Sequence, residues 1–322
     1  MTKASGIKIS KNKMDMSNLS KFQKEQEIPT AIKQYLADKE SNQAKLARAA
    51  KIGETYVSQI LQGKTHIGKT EIKDKYYIAL CKAIDYEIDT SIWRHFNTNN
   101  FKRIVNEIKK TREKKGRSAL DADTGAGKSY ACYKYKQKYP NGTYLVKCYA
   151  IENSKEFAIN IAEVVGVETH GTAGSIIKRV AKKLLADDDA ILLIDEAEHI
   201  GKKSGYINII KSLADLLEEQ VAIVLIGMGI TDILRIGFER NKQNFRQTAR
   251  RFSKREKCDQ SISEDIIKIC DELGIKSIAA KNWLAKRMKN YDEFKVLVVD
   301  AITEASSLNQ QVTVELLNTL YQ

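Results

Sequence analysis

Two runs of apolar residues restrict the architecture of this chain. AILLID at 190–195 and VAIVLIG at 221–227 carry no polar residue before their ends. Alternation would mark strands wetted on one face, whereas unbroken runs of this length mark strands buried on both faces, as in a parallel sheet covered by helices. Neither approaches the roughly 18 residues that a membrane span needs. Amphipathic helical patterns alternate with strand patterns around them. Strands are expected at 118–122, 143–149, 190–195 and 221–227, with a short edge strand at 255–259. The class is α/β, a parallel sheet with helices on both faces.

DADTGAGKSY at 121–130 follows the first strand and opens a helix, YACYKYKQKY. It matches the phosphate-gripping pattern G-x-x-x-x-G-K-[ST], except that Ala122 stands at the first glycine. A negative φ would let Ala122 serve there. Asp123, Thr124, Gly125, Ala126, Gly127, Lys128, Ser129 and Tyr130 are the expected nucleotide-binding stretch. Backbone N–H groups at the positive end of the helix would wrap a phosphate. Lys128 would reach the β- and γ-phosphates, and the Ser129 hydroxyl would bind Mg2+. The second half of the site is ILLIDEAEHI, where Asp195 ends a buried strand and Glu196 follows it. Asp195 would hold Mg2+ and Glu196 would prepare a water for attack. Either motif alone fits a flexible loop or an ordinary strand end. Both together, in order and on suitable elements, point to Mg-dependent hydrolysis of ATP.

Residues 1–29 read as a mobile tail and 30–98 as a small all-α domain. Within the latter, QAKLARAAKIGETYVSQILQG fits a helix-turn-helix, with Ala47 at the helix crossing and Ile52, Val57 and Ile60 pinning the second helix. Lys51 replaces the glycine common at the turn, a position that needs φ > 0. Thr55, Tyr56, Ser58 and Gln59 are the expected base-facing residues, with Glu54 beside them. A helical hairpin for protein contact is the alternative. Residues 99–118 read as a basic helix fraying into a linker, 119–260 as the nucleotide-binding domain, and 261–322 as a C-terminal helical domain.

Charge names the partner. The 322 residues carry 54 Lys and Arg against 41 Asp and Glu, a net charge of +13. Duplex DNA is the leading anionic partner. RNKQNFRQTARRFSKREK at 240–257 concentrates the charge, with Phe245 and Phe252 interleaved, and offers Lys242 and Arg246 to phosphates. Five cysteines without a C-x-x-C pair fit a reducing compartment, and no secretory leader is expected in the polar first thirty residues. A cytoplasmic protein with no membrane partner is expected. His199 lacks companions at metal-ligand spacing, and Trp283 and Tyr291 read as core.

TGAGKS before a helix, DEAEHI after a strand and RRFSKRE after the next strand resemble AAA+ ATPases. Within these, the chain is similar to the DNA-transposition ATPases, the Mu B group of transposable phages, whose members also begin with a helix-turn-helix. The resemblance covers most of 100–322 and is strongest over 123–229. It implies an AAA+ P-loop domain with a C-terminal helical lid. It also implies homo-oligomeric filaments or rings on duplex DNA and delivery of target DNA to a transposase. An arginine acting on the neighbouring subunit's γ-phosphate is implied too; Arg251 matches best, with Arg250 and Arg255 as alternatives. Gly227-Met228-Gly229 departs from the polar sensor of many AAA+ enzymes, and Thr231 is the nearest substitute. A helicase loader and a nucleotide-switched, site-specific regulator are the competing functions.

Overall fold

The computed structural model describes residue 19 and residues 23–39, 42–86, 92–201 and 204–321. These form two compact units: the described residues up to His95 with Ile269–Lys276, and Phe96–Lys268 with Ser277–Gln322.

In the first unit a π-helical turn, Gln23–Glu27, runs into α1 (Ile28–Asp38). Pro29 sits in the first turn of α1, where its missing N–H costs nothing. Ile28 and Ile32 are fully buried. Residues 23–29, expected to end a mobile tail, are therefore packed helix, held by the apolar face that Ile28 begins. Residues 1–18 of that expected tail lie outside the described residues. Asn42 caps α2 (Gln43–Ala50) by accepting from the Lys45 N–H at 2.9 Å. Lys51 then turns the chain with φ 55° and ψ 43°, and α3 (Glu54–Leu61) follows. Ala47, Val57 and Ile60 are buried in one cluster to which α2 and α3 contribute. Gly63 and Gly68, in the stretch that follows, read as loop residues. Part of it is instead an antiparallel hairpin, β1 (His66–Ile67) and β2 (Thr70–Glu71), turned at Gly68 with φ +59°. Strands of two residues show no period, which hides them in the sequence. α4 (Asp74–Ala83) closes the described part of this cluster.

The second unit begins with α5 (Asn99–Glu113), capped by Thr98. Ile104 and Ile108 on it are fully buried, so this basic helix belongs to the nucleotide-binding unit and does not fray into a linker. Then come β3 (Arg117–Asp121), α6 (Lys128–Lys138), β4 (Thr143–Lys147), α7 (Ser154–Val165), α8 (Ala173–Leu185), β5 (Ile191–Asp195), α9 (Ser204–Leu216) and β6 (Ala222–Gly227). α10 (Ile230–Glu239), α11 (Phe245–Arg251) and β7 (Lys254–Lys257) complete the sheet. α12 (Ser263–Glu272) follows, then α13 (Ile278–Arg287), α14 (Tyr291–Ser307) and α15 (Val314–Leu320).

The five strands are parallel, in the order β4-β5-β6-β3-β7. Successive side chains on a strand point to opposite faces. Leu192, Ile194, Ile223 and Leu225 thus pack with α7, α8 and α9, through residues such as Phe157, Ile176 and Ile210. Ile191, Leu193, Val224 and Ile226 pack with α5 and α6, through Ile104, Ile108, Ala131 and Tyr135. The register aligns Asp121 with Gly227, and Lys147 with Asp195. The C-terminal strand ends therefore meet along one edge of the sheet, where α6 begins.

Candidate nucleotide site and candidate DNA-facing surfaces

Between β3 and α6 the backbone turns through two left-handed glycines, Gly125 at φ +71° and Gly127 at φ +83°. Ala122 keeps a negative φ, is buried, and donates its N–H to the Gly227 carbonyl at 3.3 Å, so its methyl group is tolerated. Lys128 is the first residue of α6 and is 7% exposed. Its Nζ donates to the Ala122 and Asp123 carbonyls at 2.9 and 3.0 Å, which holds the ammonium group inside the curve of the loop. Among the described residues, the N–H groups of Gly127, Lys128 and Ser129 have no partner. Three unfilled donors at the start of an 11-residue helix, beside a buried cation, suit a phosphate group. Asp123, Thr124, Ser129 and Tyr130 are exposed along the same stretch.

Asp195 ends β5, is 3% exposed, and accepts from the Glu196 N–H through Oδ1 at 3.0 Å. Glu196 has φ +56°, a strained conformation for a side chain with a Cβ, and one found often at functional sites. It is half-buried, and its carboxylate lies 3.9 Å from Lys147 Nζ at the end of the neighbouring strand. Ser129 and Asp195 are the expected Mg2+ contacts. Among the described residues no group of three or more His, Cys, Asp and Glu forms a ready-made metal cage. A hydroxyl and one carboxylate fit a Mg2+ that takes its remaining ligands from phosphate and water.

Two carboxylates that the sequence reading overlooked organise the strand ends. Asp121 is buried and accepts from the Gly229 N–H and the Thr231 hydroxyl, both at 2.7 Å. The Thr231 hydroxyl, the nearest substitute for a sensor, is engaged by Asp121 in this structure. Glu198 accepts from the Met228 N–H at 3.1 Å, and a Cβ at Gly227 would collide with it. Gly227 is therefore required by close approach, not chosen for flexibility. A polar residue closing the apolar SALD run was the available signal for Asp121. His199 is half-buried with Nδ1 unpartnered.

The arginine candidates separate. Arg251 is paired with Asp215 and donates to the Ala214 carbonyl at 3.2 Å. Arg117, which opens β3, donates to the same carbonyl at 2.7 Å. Burial, and then the nearby Arg251 charge, lower the Arg117 pKa. Arg251 is therefore at the N-terminal ends of the strands, opposite the phosphate loop, and cannot serve the nucleotide of its own chain. Arg255 is tied to the Phe252 and Ala249 carbonyls. Arg250 is exposed and has no hydrogen-bond or ion-pair partner among the described residues.

In the first unit, Thr55 is exposed and Ser58 and Gln59 are half-buried on α3. Tyr56 stacks on Tyr76 of α4, with ring centroids 4.0 Å apart and planes 15° apart. One face of its ring is therefore covered, while the residue as a whole is half-buried. Lys242 and Arg246 are exposed, lying over the Phe245 and Phe238 rings at 5.9 and 5.7 Å. Phe245 and Phe252 are buried core residues, so the aromatics interleaved with this basic run fill the interior. Tyr291 is buried as expected. Trp283 is only half-buried, stacked under Arg287 at 4.4 Å and edge-on to Tyr321. Among the described residues no helix is long and apolar enough to cross a membrane.

Residues 110–235 match a family model described as an AAA domain. Among solved structures, the Orc1 protein of Aeropyrum pernix in complex with DNA is similar at 16% identity and a TM-score of 0.49. The match covers 69% of this chain and 63% of that one, less than two thirds of its length. No curated protein matches the sequence. The parallel sheet order, the phosphate loop and the matched span make the second unit an AAA+ P-loop fold, preceded by a mainly helical unit. AAA domains in general bind and hydrolyse ATP.

Proposed function

We propose that this protein is a Mg-dependent ATPase that assembles as a homo-oligomer on duplex DNA and delivers target DNA to a transposase. The observation that carries the ATPase reading is the meeting of Lys128 and three unfilled N–H donors with Asp195 and Glu196 at one edge of the sheet. Bound Mg·ATP would supply the electrophilic γ-phosphate. Lys128 would exchange its two carbonyl partners for phosphate oxygens, and Ser129 with Asp195 would hold the metal. Glu196, whose carboxylate faces Lys147, would orient the attacking water and take its proton. Arg251 or Arg250, opposite the loop of its own chain, would reach the nucleotide of a second copy. Separating Arg251 from Asp215 would accompany that contact, whereas Arg250 needs no such release.

Thr55, Ser58 and Gln59 on α3 would meet DNA bases, and Lys242 and Arg246 would meet phosphates. The transposase partner rests on the sequence resemblance to the Mu B group. Helicase loading is the reading that shares every residue role above, so the two part only by partner. Adding the protein with ATP to an insertion reaction containing a candidate DDE-type transposase should direct insertion to DNA already coated by the protein. Unchanged insertion, together with transfer of a replicative helicase onto single-stranded DNA, would replace the transposition reading by the loader. The Lys128→Ala variant tests the shared part: nucleotide affinity should fall below detection.

A further inference from the structure

The phosphate loop is fastened from outside, by the start of α14. The Tyr291 N–H donates to the Gly125 carbonyl at 3.0 Å. A Cβ on Gly125 would lie 2.7 Å from the Asn290 Cβ, so the loop and the α14 N-terminus touch without room for a side chain. Asn290 caps α14 by accepting from the Glu293 N–H at 2.9 Å, which fixes its own position. The Tyr291 ring runs beneath the loop, 3.8 Å from where a Cβ on Gly127 would be. Its hydroxyl donates to Asp265 Oδ2 at 2.7 Å. Asp265 is buried, and the same oxygen accepts from the Asn99 N–H at 2.9 Å. Burial and the Asp265 carboxylate both raise the Tyr291 pKa, which keeps the phenol protonated and donating.

We propose that Tyr291 is a positioning residue for the phosphate loop, bracing Gly125 and coupling nucleotide occupancy to α14. The coupling rests on the reading of this loop as a nucleotide site; the bracing does not. Gly125 and Gly127 flank the point where a phosphate would pull N–H groups inward. A Gly125 carbonyl held by Tyr291 keeps those groups turned toward the phosphate side before any ligand arrives. A phosphate that tightens the loop then tightens its bond to α14, and α14 runs 17 residues through the C-terminal helices.

The position allows the bond to be removed selectively. Tyr291 is the first residue of α14, where proline is tolerated, and Asn290 has the extended φ −144° and ψ 162° that proline requires before it. Tyr291→Ala removes the ring and keeps the N–H. Tyr291→Pro removes both and places a methylene against the Gly125 carbonyl. Tyr291→Phe loses only the hydroxyl, and with it the bond to Asp265 and the contact with Thr98. Two readouts on folded variants, checked by circular dichroism, test the proposal: amide hydrogen exchange of the loop without nucleotide, read at Ala126, whose N–H is bonded to the Asp123 carbonyl at 3.2 Å, and affinity for a fluorescent ATP analogue with Mg2+. We expect loop exchange to be at least about fivefold faster in Tyr291→Pro than in Tyr291→Ala, the scale of one lost hydrogen bond. Affinity should weaken in the order Phe, Ala, Pro, and wild type should show nucleotide-dependent protection at the start of α14. Equal loop exchange in the Ala and Pro variants overturns the bracing. Nucleotide binding that leaves α14 exchange unchanged overturns the coupling. Faster loop exchange in a chain whose wild type binds no nucleotide would leave the bracing standing and remove the nucleotide reading beneath the coupling.

Discussion

Lys51 and Gly125 ask the backbone for the same left-handed conformation, at φ 55° and φ +71°, and the chain answers with different residues. Lys51 ends α2 at an exposed turn, its N–H bonded to the Ala47 and Arg48 carbonyls. Its Cβ raises only the local torsional energy, about 1 kcal/mol. Gly125 has the same torsional demand, and in addition the Asn290 side chain fills the place of a Cβ. Left-handed turns are thus negotiable where solvent is the neighbour and fixed where another element presses on them. Ala122 completes the pattern: its φ is negative, so the glycine usual at that point of the loop is dispensable here.

The largest effect follows at the crowded turn. Gly125→Ala should weaken nucleotide binding by more than about tenfold, because the torsional cost alone approaches the 1.4 kcal/mol of a tenfold change and Asn290 must also move. Fluorescent-nucleotide titration measures it, and wild-type affinity in this variant would show that the loop tolerates a side chain after all. At the open turn the sign reverses. Lys51→Gly should stabilise the first, mainly helical unit by about 0.5–1 kcal/mol, the usual gain of glycine at such a helix end. Thermal melting of the chain would register this as a rise of a few degrees in the transition of that unit. Unchanged or lower stability would mean that the lysine side chain contributes at the turn beyond its torsion.

The smallest effect compares how the two units open. Cys81 in the first and Cys258 in the second have thiols pushed up to about 12, chiefly by burial. A raised thiol pKa stabilises the fold fully below the ordinary value of about 8.5, and that contribution is lost as pH climbs from there toward about 12. Near pH 8, alkylation of native protein should therefore wait on local opening, and the thiol labelled first identifies the unit that opens more readily. Labelling of both at the rate of a free thiol would contradict their burial.

The five strands of the parallel sheet were legible to within two residues, the clearest because unbroken apolar runs such as AILLID have few alternatives, whereas the two-residue strands β1 and β2 were not. The phosphate loop and the Asp195-Glu196 pair were legible because each needs particular residue types at fixed spacing. What escaped the sequence depends on neighbours distant in the chain. Tyr56 reads as base-facing, and nothing in the sequence signals that Tyr76 stacks on one face of its ring. Arg251 looks like a free cation until Asp215, 36 residues earlier, claims it. Tyr291 was placed in the core correctly, yet its bond to Gly125 leaves no sequence signal, since any residue but proline offers that N–H.

The proposed function, an ATPase that assembles on duplex DNA, is tested most directly by Glu196→Gln if hydrolysis at this site also times release from that DNA, as we propose. The substitution keeps side-chain volume and leaves Lys128, Ser129 and Asp195 in place, while removing the carboxylate proposed to prepare water. Turnover should fall by roughly 10²-fold or more. The measurement is dissociation from fluorescent duplex DNA after ATP and Mg2+ are supplied, for wild type and for this variant. The account predicts that wild type leaves the DNA as ATP is consumed and that Glu196→Gln stays bound. Release of the variant at the wild-type rate, with no ATP hydrolysed, would contradict it.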